Sequence, residues 1–184
     1  EVWQVDKSGL VIERDGDWSW GDWGENIDMG VLVNCWYYLA LKAEKAFALQ
    51  LGKTADADEI GRMMYSIGKC FDTKFWTGSA YRSPSYKGET DDRAQAMAVV
   101  SGLASADKYP ALVKVLKKEC HASPYMEKYV LEALFQMNEP AFALERMKQR
   151  YAKMMDYPEY TTLFEGWGIG PDGFGGGTIN HAWS

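Results

Sequence analysis

GVLVNCWYYLALKAEKAFALQL, residues 30–51, is apolar almost all the way round in its first half, and the segment that follows it, residues 55–74, is not. There Ile60, Met63, Met64, Ile67, Phe71 and Phe75 form one stripe at the 3.6-residue helical period, with Glu59, Arg62, Lys69 and Lys74 off it. An all-round apolar helix is covered on several sides, whereas a single stripe leaves a wet face. The pair predicts an inner helix packed against an outer one.

The same alternation continues along the chain. Residues 92–104 (DRAQAMAVVSGLA) are rich in Ala and Val and almost uncharged after Arg93, and residues 108–119 carry the stripe Tyr109, Leu112, Val113 and Leu116 among lysines. Residues 124–137 read as mostly buried from Tyr125 to Phe135. Residues 140–155 return to a stripe of Leu144, Met147, Tyr151 and Met154, with Glu145, Lys148 and Arg150 outside it. No run of period-two alternation competes for a sheet. Successive inner and outer helices make antiparallel hairpins in two concentric layers. The predicted fold class is all-α, three hairpins of an (α/α) toroid, with a further helix starting at Asn180–Ser184. A helical solenoid is the alternative, but the hairpins share no repeat motif.

In that arrangement every connection from an outer helix to the next inner helix emerges at one end. These connections are DGDWSWGDWGENID (15–28), YRSPSYKGETDD (81–92), ECHASP (119–124) and YTTLFEGWGIGPDGFGGGTINH (160–181), while the opposite turns are short. One mouth therefore gathers Trp18, Trp20, Asp22, Trp23, Glu25, Glu89, Asp91, Asp92, His121, Glu165, Trp167 and His181. Carboxylates and indoles round one opening suit sugar cleavage, in which one carboxyl protonates the leaving oxygen and another activates water or attacks. Asp91 and Asp92 also read as cap and dipole partners of a helix start. His121 reads as a surface or capping residue, and Trp18 and Trp20 equally as wall packing. Glu165 stands apart, between Phe164 and Trp167 in a glycine-rich loop, where desolvation among rings would raise its pKa and suit it as a base.

The 184 residues, 47% hydrophobic and 25% charged, suffice for one domain with a real core. A net charge of -6 and a pI near 5.0 supply no basic field, so nucleic acid is not an expected partner. No stretch approaches the roughly 20 apolar residues of a membrane span, and the opening EVWQVDKSG has no signal-peptide pattern. Cys35, Cys70 and Cys120 are widely spaced and odd in number, which suggests buried thiols rather than a disulfide framework or a metal site. No cofactor is called for. The 8 Trp residues, several beside Gly or acidic residues, favour carbohydrate as the ligand, since rings stack on the C–H faces of sugars.

Three places in order along the chain resemble the bacterial α-L-rhamnosidases of glycoside hydrolase family 78, in the second half of their (α/α)6 barrel. They are Gly21-Asp22-Trp23 ahead of a long helix, the Ala-rich helix after Thr90, and Thr161-Thr162-Leu163-Phe164-Glu165-Gly166-Trp167 followed by Asn180-His181. The last is the most specific. The resemblance implies that Glu165 is the general base of an inverting mechanism, and that Asp22, Trp23, Trp167 and His181 line the rhamnose subsite. It also implies that the general acid belongs to a segment upstream of the Gly-Asp-Trp loop. Residues 1–184 are then a partial barrel domain, without the upstream half or the small β-sandwich that often follows. Two positions depart from the family pattern: Phe164 stands where Trp is usual and Asp91 where Gln is usual. The competing readings are a helical-barrel glycosidase for another sugar, a carbohydrate-binding domain without catalysis, and a scaffold. An open barrel edge would expose apolar faces and favour a homo-oligomer.

Overall fold

The computed structural model describes residues 4–12, 20–169 and 177–181. Six α-helices follow in order: α1 (Met29–Gln50), α2 (Thr54–Phe75), α3 (Asp92–Ser101), α4 (Tyr109–Lys118, preceded by the 3-10 turn Ala106–Lys108), α5 (Pro124–Gln136) and α6 (Pro140–Met155). Among the described residues there is no strand; Val5 bridges Val11 and Trp76 bridges Tyr81 as isolated antiparallel pairs. The fold is all-helical, as the alternation predicts. Asn180 and His181 are not helical, and Ala182–Ser184 of the expected further helix lie outside the described residues.

Helices α1, α3 and α5 pack side by side as an inner layer, with α2 against α1, α4 against α3 and α5, and α6 against α5. The core reflects that order. In α3 every residue but Val100 is buried, and Ala94, Ala96 and Ala98 let neighbouring backbones come close. Outer helix α2 buries Ile60, Ile67, Phe71 and Phe75 and exposes Met63, and α4 buries Leu112, Val113 and Leu116. At the end opposite the candidate mouth the chain turns through left-handed positions, Gly52, Gly102 and Asn138, with φ of 71°, 85° and 61°. Gly102 is the C-cap of α3, where a Cβ would be strained.

Three sequence expectations need correction. On α6 the expected stripe holds in its second half, where Met154 is buried and Tyr151 half-buried, but Leu144 and Met147 are 47% and 40% exposed and the first half buries Ala143 and Arg146 instead. That half departs from the apolar reading because Arg146 is charge-compensated inside, by Glu127 and Asp92. On α5, Phe135 is 52% exposed at the last turn. Of the three thiols read as buried, only Cys35 is; Cys70 is half-buried and Cys120 exposed, because Cys120 lies in the connection after α4 rather than on a helix face.

Candidate active site

The inner helices all begin at one end, and their N-termini are stitched together by carboxylates. Asp28 caps α1, accepting from Val31 N at 3.3 Å, and its other oxygen accepts from Ser83 N at 2.7 Å. Asp91 caps α3, accepting from Arg93 N at 3.0 Å, and its second oxygen accepts from Asp28 N at 2.8 Å. The cap reading of Asp91 therefore holds, and the same carboxylate also joins α3 to α1.

Arg93 is the hub, with a side chain 0% exposed. Its guanidinium donates to Asp91 Oδ1 at 2.6 Å, Asp22 Oδ2 at 3.2 Å, Trp23 O at 3.3 Å, and Glu25 O and Asn26 O at 2.7 Å each. The Gly-Asp-Trp loop is thus wrapped round one buried cation. Gly21 fits closely there: a Cβ would lie 2.5 Å from Met29 Sδ, 2.9 Å from Ile27 Cγ2 and 3.1 Å from Leu32 Cδ1, so these side chains would have to move. Asp22 is buried as well, accepting from Ser123 N at 2.9 Å and from the Ser123 hydroxyl. Burial pushes its carboxyl above the usual carboxylate range against the opposing pull of Ser123 and Arg93, and burial raises Asp91 likewise against Arg93.

A second buried arginine closes the next interval. Arg146 donates to Glu127 at 2.6 and 2.9 Å, to Asp92 Oδ2 at 2.9 Å, and to the carbonyls of Leu116 and Glu119 at 2.6 and 2.8 Å. Asp92 is therefore an ion-pair partner more than a surface dipole residue. Sequence reading passed over Arg93, Ser123, Glu127 and Arg146. The available signal was a lone Arg in an Ala/Val helix directly after two aspartates.

The segment after α6 forms a two-stretch clasp. The Thr162 hydroxyl donates to Ile179 O, His181 N to Leu163 O at 3.0 Å, and Glu165 N to Thr178 O at 2.9 Å. The two halves of the C-terminal motif, separated in sequence, thus lie together. Glu165 Oε2 accepts from Thr178 N at 2.9 Å and stands 3.5 Å from His181 Nδ1. Among the described residues these contacts all fall on Oε2, leaving Oε1 free. The rings beside Glu165 in sequence are engaged elsewhere. Phe164 is fully buried against Tyr157 and Tyr160, and Trp167 packs on Tyr151 with the Arg150 guanidinium 4.1 Å from its ring centre. Glu165 itself keeps a side chain 17% exposed rather than sealed between those rings.

One short linker receives both loops. Trp167 Nε1 donates to Ala122 O at 2.8 Å, and the next residue, Ser123, holds Asp22. Trp23 beside Asp22 is 38% exposed and meets Trp20 edge-on at 5.6 Å, and Trp20 in turn meets Tyr125 at 5.3 Å. Trp20 is thus packed in a ring cluster, while Trp18 lies outside the described residues. Glu89 and His121 also face one another at this end.

The described residues thus form two layers of helical hairpins, with buried charge at the inner-helix N-termini and aromatic and carboxylate-bearing loops at one end. Residues 4–184 match the sequence family described as the bacterial α-L-rhamnosidase 6 hairpin glycosidase domain, and the chain belongs to that family. Two solved structures share the fold. A rhamnosidase from Klebsiella oxytoca with rhamnose bound superposes with a TM-score of 0.77 at 18% identity, over 88% of this chain and 32% of that one. A GH78 family rhamnosidase of Bacillus sp. GL1 gives 0.76 at 21% identity, over 98% of this chain and 21% of that one. The chain therefore spans less than a third of either relative's length. No curated protein sequence matches it.

Proposed function

We propose that these residues form part of the catalytic domain of an inverting α-L-rhamnoside hydrolase, in which Glu165 is the general base. The supporting observation is the clasp, in which Thr178 N donates to Glu165 Oε2 at 2.9 Å while, among the described residues, no contact falls on Oε1; His181, whose Nδ1 shares a hydrogen bond with the Thr178 hydroxyl, stands beside it. A base needs this asymmetry: one oxygen held for orientation, the other open to accept a proton from water. As that water attacks the anomeric carbon, its proton passes to Glu165, and a second carboxyl protonates the departing oxygen. In an inverting site the two carboxyl groups stand roughly 6.5–9.5 Å apart, leaving room for the water. The acid is assigned to a segment outside residues 1–184, consistent with the chain's spanning only part of its structural relatives. Trp23 and Trp167 supply walls for the apolar face of the sugar, and His181 lines the subsite from the Glu165 side.

Asp22 belongs to this subsite through its position, next to Trp23 and bonded to Ser123. With its oxygens turned onto Ser123 and Arg93, its contribution is to anchor the Trp23 loop to the linker that Trp167 also contacts. The stereochemistry of the product tests the reading. Proton NMR during hydrolysis of an aryl α-L-rhamnoside by the full-length protein is expected to show β-rhamnose first, with the α-anomer appearing only by mutarotation. α-Rhamnose as the first product would require a covalent intermediate and remove Glu165 from the role of base.

A further inference from the structure

His121, in the connection between α4 and α5, places Nε2 3.3 Å from Glu89 Oε2 and 3.4 Å from Glu119 Oε2. The three ligand atoms lie within 4.8 Å of one another and come from different segments: the α2–α3 loop, the C-cap of α4 and the linker. The Nε2 atom is buried yet makes no aligned hydrogen bond to either carboxylate. An imidazole held by hydrogen bonding would sit at about 2.7–3.2 Å and point at its acceptor.

The spacing has another explanation. Two ligands of a tetrahedral ion, each bound at roughly 2.0–2.1 Å, stand about 3.3–3.4 Å apart. Octahedral Mg²⁺ at similar bond lengths would bring adjacent ligands to about 2.9 Å, and Ca²⁺ prefers oxygen ligands alone. We propose that Glu89, Glu119 and His121 form a zinc site at the rim of the barrel mouth. Its charge also suits a dication. Lys118 occupies Glu119 Oε1 at 2.7 Å, so Oε2 remains for the metal, and Glu89 is 68% exposed and able to close the remaining gap. The His121 backbone N–H donates to Asp92 Oδ1 at 3.2 Å, fixing the ligand to the Arg146 network. A bound ion would clip the α2–α3 loop to the linker that carries Ala122 and Ser123. This inference stands independently of the glycosidase reading.

Calorimetric titration of the chelator-stripped protein with Zn²⁺ decides it, with thermal unfolding as a second readout. The expected result is one ion per chain and a raised unfolding midpoint, with Mg²⁺ and Ca²⁺ giving neither. Glu89→Gln, on an exposed side chain, should weaken binding by about tenfold or more, and His121→Gln should abolish it, since each removes a ligand from the ion. Cys120→Ser should bind as the unaltered protein does. No Zn²⁺ binding, binding retained in His121→Gln, or binding lost in Cys120→Ser would overturn the proposal.

Discussion

Replacing Arg93 by Met tests the claim that one buried cation organises the mouth. The substitution keeps much of the side-chain volume but removes the donor shared by Asp22, Asp91 and the carbonyls of Trp23, Glu25 and Asn26. Two carboxylates are then left buried without their counter-charge. Breaking a buried pair by removing one partner costs roughly 3–5 kcal/mol. For a chain of this length each kcal/mol lowers the unfolding midpoint by roughly 2–4 °C, so a fall of roughly 6–20 °C is expected. Urea unfolding followed by circular dichroism supplies the free energy. The double variant Arg93→Met with Asp22→Asn isolates the pair, because neutralising Asp22 removes one stranded charge; a favourable coupling of about 1–3 kcal/mol is expected. Lysine is not an adequate substitute, since a single ammonium cannot span five acceptors. A loss under about 1 kcal/mol, within the range of ordinary surface changes, or full additivity of the two substitutions would refute the hub assignment.

Trp167→Phe leaves Ala122 O without its indole donor and should cost about 1 kcal/mol in urea unfolding; Trp167→Ala, which also removes the ring under Arg150, should cost more. Asp6 is held down to about 2, first by the Ser8 hydroxyl and also by backbone N–H groups of Ser8 and Leu10 and by Lys74. Because the folded state depresses this carboxyl below its unfolded value near 3.9, its contribution is present above about pH 4 and lost as pH falls towards 2. The stability difference between the protein and Asp6→Asn should accordingly shrink across that window in unfolding curves recorded at several pH values. Residues 1–184 alone are expected to leave an aryl α-L-rhamnoside intact; turnover lost on Glu165→Gln would place the acid within these residues.

The helices were legible because their signal is local. An apolar stripe at i, i+3 and i+4 or an all-round apolar run needs only its own window, and most of the stripe is buried, Ile60, Ile67, Phe71 and Phe75 on α2 and Leu112, Val113 and Leu116 on α4, with Met63 left exposed. The α6 face was misread because its inner position is Arg146, whose partners lie 19 and 54 residues away. Periodicity scores Arg as outward, and only the fold reveals the compensating carboxylates. The anchoring of Asp22 was hidden for the same reason: Ser123, which donates to it, is 101 residues on. The pairing of Thr161–Trp167 with Asn180–His181 was readable as a motif, but the backbone bonds that make it a clasp were not.

The most direct measurement is kcat/KM of the full-length protein for an aryl α-L-rhamnoside, compared with Glu165→Gln. The exchange keeps the side chain's size and an acceptor oxygen for Thr178 N while removing the base. A fall of about 10²–10⁴-fold with little change in KM is predicted for loss of general-base catalysis. Unchanged kcat, or a rise in KM alone, would contradict the assignment and leave Glu165 a binding residue.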